Sequence, residues 1–383
     1  MKLSFKRITS SGSYIPEIDG LRFIAIASVV LYHINGFIIV KDLSTYTDSF
    51  DYSFLNRVLS RGHLGVPLFF VISGFILGQP FANFYIRQGK PVNLKKYFLR
   101  RLTRLEPPYI LIMTILFFGA VYVAKTVSFS TGILSYFSSI IYSHNFIYGG
   151  YPLLNAPAWS LEIEVQFYIL APLMAYIFSL TPSNRRFVLL SIAFFFVFFN
   201  NTVYLSHLSI LNFVQYFLVG FLLADLYVSN STILPKTKFD YLFGFLFFSI
   251  IWLIDKGDLK FQYQKNIWDL VQLCSIFLLY YYVLIHKIFK LLSFKLITNI
   301  GGMCYSIYLL HYPIISMFGN PLLHYSFSEY SFINISIYSI SLLFLIMAIS
   351  SIYFLIIERP CMDKDWYKRI LNICTRSLIL KRE

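Results

Sequence analysis

Long apolar runs alternate with short polar and basic stretches along the whole chain. Runs long enough to cross about 30 Å of hydrocarbon begin near Leu21, His63, Pro107, Ser160, Phe187, Leu208, Phe239, Trp268, Leu296 and Phe332. They predict an all-α polytopic transmembrane bundle of about ten spans. One further apolar stretch, 132–147, is shorter and is interrupted by Ser135, Ser138, Ser139, Ser143, His144 and Asn145. It is expected to be re-entrant or interfacial.

Composition agrees with this pattern. Hydrophobic residues make up 57% of the 383 positions and charged residues only 13%, about half the usual share in a soluble domain. The net charge of +14 would suit nucleic acid if it formed one patch, but the basic residues lie between and beside the spans, where they set topology and meet anionic lipid. No nucleic-acid partner is expected. Cys274, Cys304, Cys361 and Cys374 have no metal-ligand spacing, so neither a metal site nor a disulfide framework is indicated. The first apolar run ends without a small-residue cleavage site and reads as an uncleaved span.

Basic charge orients the bundle. Seven Lys or Arg fall between Arg359 and Arg382, which places that tail in the cytoplasm and alternates the sides of all earlier loops. Ten spans then put most of the 32 Lys and Arg, including those of 1–20 and 79–106, on the cytoplasmic side with both termini. Were 132–147 to span, the two basic ends would lie on opposite sides. The expected organisation is a cytoplasmic segment 1–20, a transmembrane domain 21–358 and a basic cytoplasmic tail 359–383.

Polar residues inside the spans are the candidate chemistry. Arg22 and His33 stand eleven positions apart in the first run, which brings them within about 20° around a helix and about 16 Å along it. Ionisable groups at that depth cost roughly 2.5–3.5 kcal/mol each, and so face a protein interior or a wet cavity. A snorkelling Arg and a packed His would satisfy the same pattern. The stretch KKYFLRRLTRLEPPY puts Arg101 and Arg104 on one helical face, and Pro107 and Pro108 are expected to end it. With Arg22 they form a cationic cluster suited to forked binding of phosphate or pyrophosphate; anchoring to anionic lipid is the plainer reading.

Across the membrane, NAPAWSLEIEVQFYIL opens the fifth span. Trp159 suits the interface, Ser160 is placed to cap the helix, and Glu162 or Glu164 favours the helix N-terminus. Glu164, a turn deeper, needs a partner, and a buried carboxylate facing an imidazole would orient His33 as a general base. His311, ahead of Pro313 in MCYSIYLLHYP, is a second intramembrane imidazole that reads more simply as a packing residue beside a kink.

These blocks together resemble the acyltransferase-3 family of integral-membrane acyltransferases. EIDGLRFIAIASVVLYH is similar to the family's opening signature, with Arg22 and His33 at its Arg-x10-His spacing and Asp19 just before. GHLGVPLFFVISGF, RRLTRLEPPY, WSLEIEVQFY with Glu164, CYSIYLLHYP with His311, and Glu358-Arg359-Pro360 resemble five further blocks in family order. Two positions depart from the pattern: Pro67 and Val165 stand where acidic residues are common. The short tail after Glu358 leads us to expect no fused esterase-like domain.

The resemblance implies transfer of an acyl group, usually acetyl, from cytoplasmic acyl-CoA to a hydroxyl of a cell-envelope glycan or lipid-linked glycan. Acyl-CoA would be a co-substrate, with no bound cofactor and no metal, and the protein would sit in a bacterial inner membrane. His33 and Glu164 are then the catalytic candidates and Arg22, Arg101 and Arg104 the donor-binding ones, with Asp19, Trp159, Ser160, His311 and Glu358 in support. A transporter or flippase using buried Arg, His and Glu is the alternative.

Overall fold

The computed structural model describes residues 5–8, 14–41, 56–254, 256–323, 331–363 and 365–367. Among them every regular element is helical. Seven helices are long and apolar enough to cross a membrane: Pro16–Val40, Asn56–Arg87, Leu94–Val123, Ala156–Ser179, Pro182–Thr202, Gln262–His286 and Ile333–Cys361. Val214–Ser229 and Asp240–Ile251 are shorter apolar helices.

We label α1 Pro16–Val40, α2 Gly65–Arg87, α3 Leu94–Phe118, α4 Phe129–Ile140, α5 His144–Tyr148, α6 Trp159–Met174, α7 Pro182–Thr202, α8 Val214–Ser229, α9 Asp240–Ile251, α10 Gln262–Tyr281, α11 Lys295–Gly302, α12 Cys304–Leu323 and α13 Ser331–Tyr353. α1 starts with Pro16 in its first turn and Glu17 and Asp19 close behind, a proline and two carboxylates where a helix N-terminus favours them. The run expected from Leu208 becomes helical only at Val214, because a 3-10 turn, Ile210–Asn212, intervenes and is closed by a capping box from Ser209.

Segment 132–147 does not run as one straight helix. α4 and α5 are separated at Tyr142, whose φ of 56° breaks the helical path. Two hydrogen bonds tie this region to α3: Tyr109 Oη donates to Ser139 O at 3.2 Å, and Tyr142 Oη donates to Glu106 at 2.9 Å.

Pro107 and Pro108 do not end the basic stretch. They lie within α3, which continues from Leu94 to Phe118. A proline inside a helix leaves the carbonyl four residues earlier without its donor, and in a membrane that group must be satisfied by protein. Here Trp366 Nε1 donates to Thr103 O at 2.9 Å, four residues before Pro107. The same device recurs twice. Tyr97 Oη donates to Tyr168 O at 3.2 Å, four before Pro172, and Asn155 Nδ2 donates to Leu309 O at 3.0 Å, four before Pro313.

Two apolar clusters fill the bundle. One gathers Phe75, Phe167, Phe217 and Phe221 around α2, α6 and α8; the other gathers Tyr109, Met113, Leu309 and Leu342 around α3, α12 and α13. α2 and α8 cross so closely that a Cβ on Gly220 would collide with Val71 O and Phe75 N, the small-residue contact that lets membrane helices pack backbone to backbone. α1 gives Leu21 and Ala25 to the first cluster and Ile26, Val30 and Ile34 to the second. The residues singled out on α1 therefore lie at the seam.

Candidate active site

A cavity of about 250 Å³ opens along this seam. Five arginines, Arg7, Arg22, Arg100, Arg101 and Arg104, line it together with Glu164, Tyr168 and Glu358, and His33, Trp159 and Ser160 line it too. The helical spacing of Arg22 and His33 thus brings both into one cavity. Asp19, 2% exposed, holds two of the arginines in place: its Oδ1 lies 2.7 Å from Arg22 Nη1 and 3.2 Å from Arg7 Nη1.

The arginines differ in how far they are committed. Arg101 donates to Tyr97 O at 2.7 Å and its guanidinium lies 3.5 Å above the Tyr97 ring. Arg104 Nε and Arg7 Nε are buried without a hydrogen-bond partner. Unpaired cationic donors in a cavity are suited to a polyanion.

Glu164 and His33 line the same cavity on different supports. The Glu164 carboxylate accepts from Ser73 Oγ at 2.5 Å. His33 Nδ1 lies 2.9 Å from Val29 O and 3.2 Å from His311 Nε2, with the two imidazole centroids 5.0 Å apart.

Ser160 does not cap α6. A 3-10 turn, Ala156–Ala158, leads directly into the helix, and Ala158 occupies the cap position. Ser160 is therefore already inside the first turn, where its Oγ turns back to Pro157 O and meets Tyr308 Oη, each at 3.2 Å. Two buried carboxylates cap helices other than their own. Glu162 accepts from the Asn145 amide of α5 at 2.9 Å. Glu358 accepts from the Ser306 amide of α12 at 2.9 Å and from its hydroxyl, which anchors the start of the helix that carries His311.

A second cavity, about 540 Å³, begins where the first ends. Val29, His33, Val66, Pro157 and Trp159 line both. Beyond them the second cavity is walled by aromatic rings, among them Tyr32, Tyr151 and Trp268, and by Asn200, Asp269 and Gln272. Its charges are paired: Asp269 accepts from Lys256 at 2.5 Å and from Asn201 at 2.7 Å. Asn200 Oδ1 is buried without a donor. Amide and carboxylate oxygens beside aromatic faces suit a hydroxyl-rich ring.

Arg7, Asp269 and the contact of His311 with His33 were not evident in the sequence. Arg7 looked like one of several topology-setting charges, and a pairing across 278 residues leaves no local pattern. Among the described residues no cluster of three or more His, Cys, Asp or Glu could hold a metal ion.

A family model described as an acyltransferase domain matches residues 15–356. The chain is similar to O-acetyltransferase OatA of Staphylococcus aureus, 28% identical over 346 residues, which covers 81% of this chain and 52% of that protein. It is also similar to peptidoglycan O-acetyltransferase OatA of Listeria monocytogenes, 28% identical over 200 residues, covering 48% of this chain and 28% of that one. The chain thus spans about half the length of the S. aureus relative. No solved structure matches it.

Proposed function

This chain belongs to the acyltransferase family whose model spans residues 15–356, and from that premise we propose that it moves an acyl group, acetyl first, from acyl-CoA in the arginine cavity to a hydroxyl of a cell-envelope glycan in the second cavity. The observation that carries this reading is the place of His33, in the wall common to both chambers. The relatives' names supply the glycan and acetyl expectations, peptidoglycan included.

The proposed steps follow from what each wall offers. Arg104, Arg22 and Arg7 bind the phosphates of the donor, and Arg101 adds charge from its stacked position. The thioester end reaches His33. The acceptor hydroxyl gives its proton to His33 as its oxygen bonds to the acyl carbon; the carbon–sulfur bond breaks, and the thiolate leaves with that proton. Glu164, fixed by Ser73, is proposed to tune this end of the donor cavity.

The membrane orientation is part of the proposal. Ten spans with both termini cytoplasmic put the arginine cavity, lined by Arg7, Arg100 and Asp363, at the inner face, and the second cavity, lined by Tyr151, Leu208 and Lys256, at the outer face. Residues 21–358 then form the catalytic domain.

Purified protein, acetyl-labelled CoA and glycan fragments test the whole reading. Label should appear as an ester on the acceptor, and His33→Gln should lower turnover about 10²- to 10⁴-fold while leaving the fold intact. Label that stays on CoA with every acceptor, while an unmodified solute crosses proteoliposomes, would replace acyl transfer by transport.

A further inference from the structure

We infer that His311 is a positioning residue that holds His33 in a single tautomer, with hydrogen on Nδ1 and the lone pair of Nε2 left for the acceptor hydroxyl; the catalytic meaning of this rests on the acyl-transfer reading above.

The assignment follows from which partners can only accept. His311 Nδ1 lies 3.0 Å from Ile307 O. A carbonyl has no proton to give, so the ring nitrogen carries the hydrogen, and the neutral ring has its lone pair on Nε2. That lone pair faces His33 Nδ1 at 3.2 Å. His33 Nδ1 also lies 2.9 Å from Val29 O. Both neighbours of this nitrogen are acceptors, so it holds the ring's one hydrogen and shares it between them. Nε2 is left as the basic nitrogen of His33.

The two histidines stand in different surroundings. His33 lines both cavities, whereas His311 is 0% exposed and forms part of neither lining. It acts through His33 and does not meet substrate. When His33 Nε2 takes the acceptor's proton, its Nδ1–H becomes a charge-assisted donor to His311, so the contact strengthens as the reaction proceeds. Three supports hold His311 where this is so: its own bond to Ile307 O, the Glu358 cap on the first turn of α12, and the Asn155 bond at the Pro313 kink. With Val29 O alone the His33 ring would keep a weaker hold on this tautomer.

Two substitutions separate positioning from packing. His311→Phe keeps a ring but removes the acceptor, and His311→Gln offers an amide oxygen in its place. His311→Phe should lower kcat about 10- to 100-fold, part of the loss seen when a catalytic imidazole is left in the wrong tautomer, with the KM of donor and acceptor changed less than about threefold. His311→Gln should restore kcat to within about fivefold of the parent, as expected when an acceptor is put back. Nitrogen-15 NMR of unliganded protein with labelled histidine, the His33 signals identified by their loss in His33→Gln, should show Nε2 unprotonated in the parent and a mixture of tautomers in His311→Phe.

Turnover in His311→Phe equal to the parent would overturn the inference, as would His311→Gln as slow as His311→Phe, or a protonated His33 Nε2 in the parent. Should His311→Phe fail to fold, His311→Gln and the parent spectrum decide. A parent that transfers no acyl group sinks the functional reading alone, because the spectrum still reports the tautomer.

Discussion

The amide of Asn155 donates to the carbonyl of Leu309 at 3.0 Å, across 154 residues of chain. This is the carbonyl that Pro313 deprives of its helical partner. Both groups are buried, so removing the donor leaves an orphan in a dry interior. Asn155→Ala should cost roughly 1–3 kcal/mol and lower the unfolding temperature in detergent. Turnover should fall with it, because His311 lies in the turn that this bond steadies. An unfolding temperature equal to that of the parent would mean that water serves the carbonyl instead.

Donor affinity should depend on the free arginine more than on the stacked one. Arg104→Lys keeps the charge but loses the forked geometry and should raise the KM for acyl-CoA about tenfold, the value of a bond to a charged group of about 1.5 kcal/mol, with acceptor KM unchanged. Arg101→Ala should lower thermal stability as well, since its guanidinium caps the Tyr97 ring. Kinetics and thermal shift on the two variants check this. Unchanged donor KM in both would make the basic face a lipid anchor.

Asp269 gives the complementary test in the second cavity. Asp269→Asn weakens the hold on Lys256 and Asn201 and removes a strong acceptor for a sugar hydroxyl. The KM for the glycan should rise about tenfold, by the same arithmetic, with that for acyl-CoA unaffected. A rise in donor KM alone would reverse the assignment of the two chambers.

Topology has its own measurement. Leu153 is 58% exposed in the stretch between α5 and α6, and a single cysteine there should react with a membrane-impermeant maleimide from outside intact cells. Reaction only after the cytoplasm is opened would make segment 132–147 a true crossing.

Periodicity made the helices legible and aligned Arg22 with His33, because a helix face can be computed from spacing alone. It could not say which helix meets that face. Glu164 seemed the natural partner for His33, being a carboxylate at matching depth. In the fold it reaches Ser73, and the imidazole that touches His33 comes from α12. The prolines misled for a related reason. Local chemistry says that Pro107 should stop a helix, and only tertiary structure reveals the indole of Trp366 that takes the freed carbonyl.

The wall between the two chambers also bears on electrical insulation. If the two chambers open to opposite faces, as proposed, the protein must still resist the membrane potential across whatever thickness remains. Besides His33, the shared residues are Val29, Val66, Pro157 and Trp159. In the proposed arrangement these side chains offer a hydrated ion nothing in exchange for its water shell, so they should hold back conduction as a hydrophobic constriction does. An acyl carbonyl carries no charge and meets no comparable barrier. Group transfer at this wall would let the acyl group change sides while the ion gradient stays intact.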